Sequence, residues 1–188
     1  MVNLFIYIQL SRNGNKEEEH GRKYQGSDQE NRSFRQLVKR VNVMDFERLK
    51  RDVLSGLREL PNQYRYHNVV HTLEVMENAA RLGAEAGLNE HDQLLLNTAA
   101  LMHDYGYLEC YQDHECKGAA TAETLLPQYG YAAEDVKAIA GMIRATVPPG
   151  HPSNRLECLI CDADLGYLGS DRFAYRSCDL RQELMAVN

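Results

Sequence analysis

The 188-residue chain lacks an excess of positive charge: 21 lysines and arginines stand against 27 aspartates and glutamates, for a net charge of −6. Binders of nucleic-acid polymers usually carry a basic patch or stripe, so no such partner is expected. A small phosphorylated ligand remains compatible, because a bound cation inverts the local field. An even cysteine framework is also missing. The five cysteines, Cys110, Cys116, Cys158, Cys161 and Cys178, fit reduced intracellular thiols better than a disulfide scaffold. The opening MVNLFIYIQL is apolar but too short to span a bilayer, and it has neither a basic leader nor a small-residue cleavage site. A soluble, cytoplasmic protein with no membrane partner is expected. Strand-like alternation and internal repeats are absent as well, which leaves helices.

Residues 11–33 are polar, glycine-containing and aperiodic and read as a weakly ordered linker, which makes 1–33 a flexible N-terminal segment. Helical periodicity starts near Phe34 and is clear from Asp45. Phe46, Leu49, Val53, Leu57 and Leu60 form an apolar stripe that Pro61 closes. A second helix is expected over 66–82, with Val70, Leu73, Met76 and Ala80 inward and Gly83 and Gly87 ending it. Asn89 is a candidate cap for a helix over 90–104, which Gly106 stops. Further helices fit 114–126, 133–145, 155–168 (capped by Asn154) and 171–184, with the breaker VPPGHPSN at 147–154. The pattern predicts an all-α fold with short connections between antiparallel neighbours.

Three segments carry the chemistry. RYHNVVHT sets His67 and His71 four residues apart, on one face of the expected helix. LMHDYG puts His103 beside Asp104 at a helix end, where an irregular turn can aim both side chains at one point. ICDADLGYLG places Asp164 within a helix, between Ile160 and Leu168, and an aspartate on an apolar stripe is costly to bury unless paired or bound to a cation. Two imidazoles and two carboxylates are the mixed N/O set that a hydrolytic metal site uses. Their wide separation in sequence requires several helices to converge.

The order His71, His103-Asp104, Asp164 resembles the HD superfamily of metal-dependent phosphohydrolases over roughly residues 60–170. YHNVVHT is similar to the YHNxxH signature of the cyclic-nucleotide phosphodiesterase branch, and HECKGAATA, from His114, resembles a helix start that follows the His-Asp pair in small bacterial members. The resemblance implies a single-domain HD-type helical bundle over 34–188. It implies metal ligation by His71, His103, Asp104 and Asp164, with Asp162 as the fallback for the last. Asp104 would bridge to a second metal, and His67 would protonate the leaving oxygen, a role its ordinary pKa suits. The ion would be divalent: Mn, Fe, Co, Ni or Zn, with Mg less well matched. The substrate would be a nucleotide or another small phosphate mono- or diester, and oligomerisation is left open.

Two departures from the family pattern bear on the site. Members with a full two-metal set add two histidines before the last aspartate. Here His114 is one candidate; Thr146 stands where the second is often found, and His151 follows in the loop. Lys117 and Arg144 are candidates for meeting a phosphate. The chain also ends soon after Asp164, where relatives continue through one or two helices, so a truncated or partner-closed site is expected. Two other readings remain in play: an HD-fold di-iron oxygenase, which needs the fuller histidine set, and a non-catalytic nucleotide-binding regulatory module. Cys158 and Cys161 form a CxxC without a matching second pair and read as packing residues.

Overall fold

A computed structural model describes residues 44–187. The flexible N-terminal segment expected over 1–33 and the helical start near Phe34 lie outside the described residues. Within them the fold is all-α, with seven helices and no strand. None of these helices is long and apolar enough to cross a membrane.

Helix α1 (Phe46–Leu57) starts where the Asp45 side chain accepts a hydrogen bond from the Arg48 amide, and it buries Leu49, Val53, Leu54 and Leu57. The expected stripe is the observed one. Helix α2 (Val69–Glu85) begins three residues later than its periodicity predicts. The cause is Asn68, whose side chain accepts from the Val70 amide at 2.9 Å and from the His71 amide at 3.4 Å. An asparagine satisfying those orphan donors fixes the start, so His67 sits in the turn before the helix and not on its face.

The buried face of α2 also differs from expectation. His71, Thr72, Val75, Ala79 and Gly83 point inward, while Val70, Leu73 and Ala80 are exposed. A polar site and small residues occupy the inner stripe, so the most hydrophobic stripe is not the buried one. Gly83 does not end the helix, because it is the crossing point with the next element: a Cβ there would overlap the Gln93 amide. Gly87, with φ +67°, makes the turn.

Helix α3 (Glu90–Met102), capped by Asn89, is the central rod. Leu95, Leu96, Thr98, Ala99, Ala100, Leu101 and Met102 are all buried in it. It packs against α2, α5 (Ala133–Ala145) and α6 (Arg155–Asp164). The core therefore lies around the helix that delivers the His103-Asp104 pair. That pair falls just past the helix end, followed by a 3-10 turn over Tyr105–Leu108.

Helix α4 (His114–Leu125) presses close against this turn. Gly106 makes the approach possible, since a Cβ there would collide with the backbone carbonyl of His114. Helix α5 matches its sequence bounds. Helix α6, capped by Asn154, ends at Asp164 and does not run on to Leu168; the chain continues as a 3-10 turn over Leu165–Gly169, and Leu168 is exposed. Helix α7 (Phe173–Val187) follows. Its buried residues are Arg176 and Glu183, both charged and two turns apart on one face.

Candidate metal centre

Three elements bring His71, His103 and Asp104 together, with Asp164 against the two imidazoles. His71 comes from the first turn of α2, His103 and Asp104 from the end of α3, and Asp164 from the end of α6. His71 Nε2 and His103 Nε2 lie 3.3 Å apart. Asp104 Oδ2 is 3.5 Å from the first and 3.2 Å from the second. Asp164 Oδ1 is 3.0 Å and 3.6 Å from the same two nitrogens. The four atoms thus form two triangles sharing the His71–His103 edge. Asp162, the fallback for the last ligand, is exposed, and it is Asp164 that meets the two imidazoles.

The donor chemistry fits a cation. His103 Nδ1 bonds the Ala100 carbonyl at 2.8 Å, so Nδ1 carries the proton and a neutral ring turns its Nε2 lone pair toward the cluster. Asp104 Oδ2 is fully buried with no hydrogen bond. Such an atom is rare in a folded protein and signals a missing partner. Lone pairs facing lone pairs at 3.0–3.6 Å repel unless something positive lies among them. Donors about 2.0–2.2 Å from a common ion stand about 3.0–3.5 Å from one another, which is the spacing within the His71, His103 and Asp104 group. His71, His103 and Asp104 are a buried His/His/Asp group able to hold a metal ion.

Without a cation the centre draws on protons. Burial pushes His103 down, but the charges of Asp104, 3.2 Å away, and of Asp164 outweigh that and lift its pKa to about 9. Burial raises Asp104, yet His103 and His67 hold its carboxyl well below the usual range. Asp164 is likewise raised by burial and held low overall by His71 and His103.

The remaining site residues divide cleanly. His114, at the start of α4, approaches the centre: its Nε2 is 3.6 Å from Asp104 Oδ1, the oxygen not turned to the first cluster. Its Nδ1 bonds the Tyr111 carbonyl at 3.2 Å. His151 is not brought to the site; it is exposed in the loop before α6. Lys117 pairs with Glu109, and Arg144 with Glu123, on exposed surface away from the cluster. Lys117 is solvent-facing because its position on α4 lies opposite the stripe of Glu115, Gly118, Ala119 and Ala122, and Arg144 is exposed in the last turn of α5.

His67 stands beside the centre without joining it, its ring 5.8 Å from that of His71. Glu183 of α7, fully buried, accepts hydrogen bonds from the Tyr66 amide at 2.8 Å and the His67 amide at 3.0 Å, and also pairs with His67 Nδ1. Burial lowers the His67 pKa, but Asp104 and Glu183 reverse this and leave it raised. Arg176 holds the same turn from α7. It lies 3.0 Å from Glu74 of α2, though misaligned for a hydrogen bond, and 4.8 Å over the Tyr66 ring. The Tyr66 ring in turn packs 4.5 Å from His71.

Sequence reasoning misses Glu183, Arg176 and Glu74. Arg176 and Glu183 lie seven residues apart, hence on one helical face, and that is the available signal. Their partners are more than a hundred residues away, which no local pattern encodes.

An all-α bundle with a convergent His/Asp centre is the architecture of a helical metalloprotein. The HD domain model matches residues 68–165, more than half of the chain, and the chain belongs to the HD-domain family. That membership, with the His/His/Asp group, supports a metal-dependent hydrolase. A crystal structure of a predicted HD superfamily hydrolase from an uncultured Thermotogales bacterium has a similar fold, with a TM-score of 0.57 and 24% identity over 73% of this chain and 86% of that one. No curated protein matches the chain. His67 and Glu183 both fall outside the matched residues.

Proposed function

We propose that the protein is a phosphohydrolase that cleaves a nucleotide or another small phosphate mono- or diester, using a divalent metal held by His71, His103, Asp104 and Asp164. The observation that carries this reading is the buried, unpartnered Asp104 Oδ2 facing two imidazole nitrogens. When bound, the ion lowers the pKa of water to give a nucleophile at neutral pH and screens the charge of the phosphoryl oxygens.

The chain's own residues supply the rest. His67 is the proton donor to the leaving oxygen. Its Nδ1 is tied to Glu183, which leaves Nε2 as the atom that gives up a proton. Glu183 orients the ring and keeps it charged until transfer. Asp104 uses one oxygen toward the first cluster and turns the other to His114, so these two residues would begin a second metal position, while His151, the candidate for its further ligand, stays exposed in the loop before α6. That shortfall counts against the di-iron oxygenase reading. Mixed His/Asp ligation suits Mn, Fe, Co, Ni and Zn ahead of Mg. A small phosphorylated substrate and a cytoplasmic site of action belong to the same proposal.

The test is hydrolysis of bis(4-nitrophenyl) phosphate and 4-nitrophenyl phosphate by the full chain with Mn²⁺, Co²⁺, Zn²⁺ or Mg²⁺. Metal-dependent turnover that Asp104→Ala abolishes is expected. Equal turnover in the two proteins contradicts the reading. Tight nucleotide binding without turnover of any phosphoester would favour a regulatory module.

A further inference from the structure

We propose that Tyr107 is a positioning residue whose ring sets the orientation of His67 and His114 together. The inference rests on His67 acting as proton donor, as proposed above.

Each of the two imidazoles is anchored at one nitrogen: His67 Nδ1 by Glu183 and His114 Nδ1 by the Tyr111 carbonyl. One hydrogen bond leaves a ring free to swing about that contact. Tyr66 meets the His67 ring edge-on at 4.7 Å, and Glu115 Oε2 lies 3.4 Å from His114 Nδ1, but the constraint common to both rings comes from one shared neighbour. The Tyr107 ring stacks on His114 with centroids 3.7 Å apart and planes 17° apart, and it packs 4.6 Å from His67 at 33°. The two imidazole centroids are 6.0 Å apart, so the three rings form a compact corner with Tyr107 at its apex. An anchored nitrogen plus a packed face determines where the opposite nitrogen points. For His114, that nitrogen faces Asp104 Oδ1.

Tyr107 is itself firmly held. It is 5% exposed and lies in the 3-10 turn directly after Asp104. Tyr64 meets it edge-on at 5.4 Å and 71°, and Tyr111 packs at 5.4 Å. The turn is fixed in turn by Gly106 against the His114 backbone. The backbone that delivers the His-Asp pair therefore also delivers the wall that aligns two further histidines. The contact is made by the ring face, so phenylalanine can replace tyrosine and an aliphatic side chain cannot.

The experiment compares Tyr107→Phe and Tyr107→Leu in the full chain. Turnover of bis(4-nitrophenyl) phosphate with Mn²⁺ is measured beside the histidine ring NMR signals of the metal-free protein. The phenylalanine variant should keep kcat within about twofold and retain the His114 ring-current shift. The leucine variant should lose about 10- to 100-fold in kcat with KM little changed, because a small misplacement of a reacting group costs on that order. Its His67 and His114 signals should move while those of His91 and His151 stay. A folded leucine variant with wild-type imidazole signals overturns the proposal. Should leucine prevent folding, the phenylalanine variant decides: a folded form with moved imidazole signals or a tenfold lower kcat overturns it. A wild type that hydrolyses no phosphoester sinks the phosphohydrolase reading alone, since the imidazole signals still decide the role of Tyr107.

Discussion

Replacing Glu183 by glutamine keeps the shape of the side chain and removes its charge. In the native protein this carboxylate accepts from the Tyr66 and His67 amides and pairs with His67 Nδ1, fully buried. Glutamine retains one acceptor oxygen for the backbone amides but cannot hold the imidazolium. The lost interaction is a charge-assisted hydrogen bond, about 1.5–3 kcal/mol. Burial alone pushes the His67 pKa down, and Asp104 and Glu183 together raise it. Removing the second of these lowers it. With His67 as the proposed proton donor, which must be protonated to act, activity should fall as pH rises through the His67 pKa. In Glu183→Gln that alkaline limb moves to lower pH. Well above neutrality the variant should be about 10- to 150-fold slower, the rate equivalent of the lost bond. The assay is a pH–rate profile for a generic phosphoester, with metal content measured on the same samples. Metal binding should be unchanged, because the hydrogen bonds of Glu183 go to Tyr66 and His67 and not to the four proposed ligands. A variant profile that superimposes on the wild type refutes the coupling of Glu183 to proton transfer.

Other predictions concern the centre and its packing. His103 has a pKa raised to about 9, so below that value a metal must displace its proton. Calorimetric Mn²⁺ or Zn²⁺ affinity should tighten about tenfold per pH unit toward pH 9 and then level off; a flat profile counts against ligation by His103. For the metal-free fold the sign follows from the same shift: the stabilising proton is fully present below about pH 6.5 and is lost as pH rises through about 9, so melting temperature should drop there. Gly106→Ala forces a Cβ into the His114 carbonyl and should destabilise by about 1–3 kcal/mol in a denaturant titration, with reduced turnover. Lys117→Ala and Arg144→Ala remove exposed ion pairs and should change stability by about 0.5 kcal/mol or less and leave KM near wild type.

Much of this architecture is legible in the amino-acid sequence. The stripe from Leu49 to Leu57, the caps Asn89 and Asn154, and the bounds of α5 follow from local rules that the sequence states openly. The His71, His103, Asp104 and Asp164 set is legible for a different reason: each residue lies at a helix end or on a face where its neighbours make an isolated polar group costly. Helix α2 departs from its pattern because its inner stripe is built from His71, Thr72, Ala79 and Gly83, which a hydrophobicity pattern undervalues, while Val70 and Leu73 face outward. The placement of His67 turns on one capping asparagine. Helix α7 carries the least signal, because it is joined to the turn at Tyr66–His67 by Arg176 and Glu183, and charged contacts across more than a hundred residues leave no periodic trace.

The most direct test of the central claim is metal stoichiometry by mass spectrometry on chelator-stripped, Mn²⁺-reconstituted protein, for the wild type and for His71→Ala, His103→Ala, Asp104→Ala and Asp164→Ala. The account predicts at least one tightly held ion per wild-type chain and loss of that ion in each folded variant. A wild type that retains no ion, or four variants that all bind as the wild type does, would contradict it.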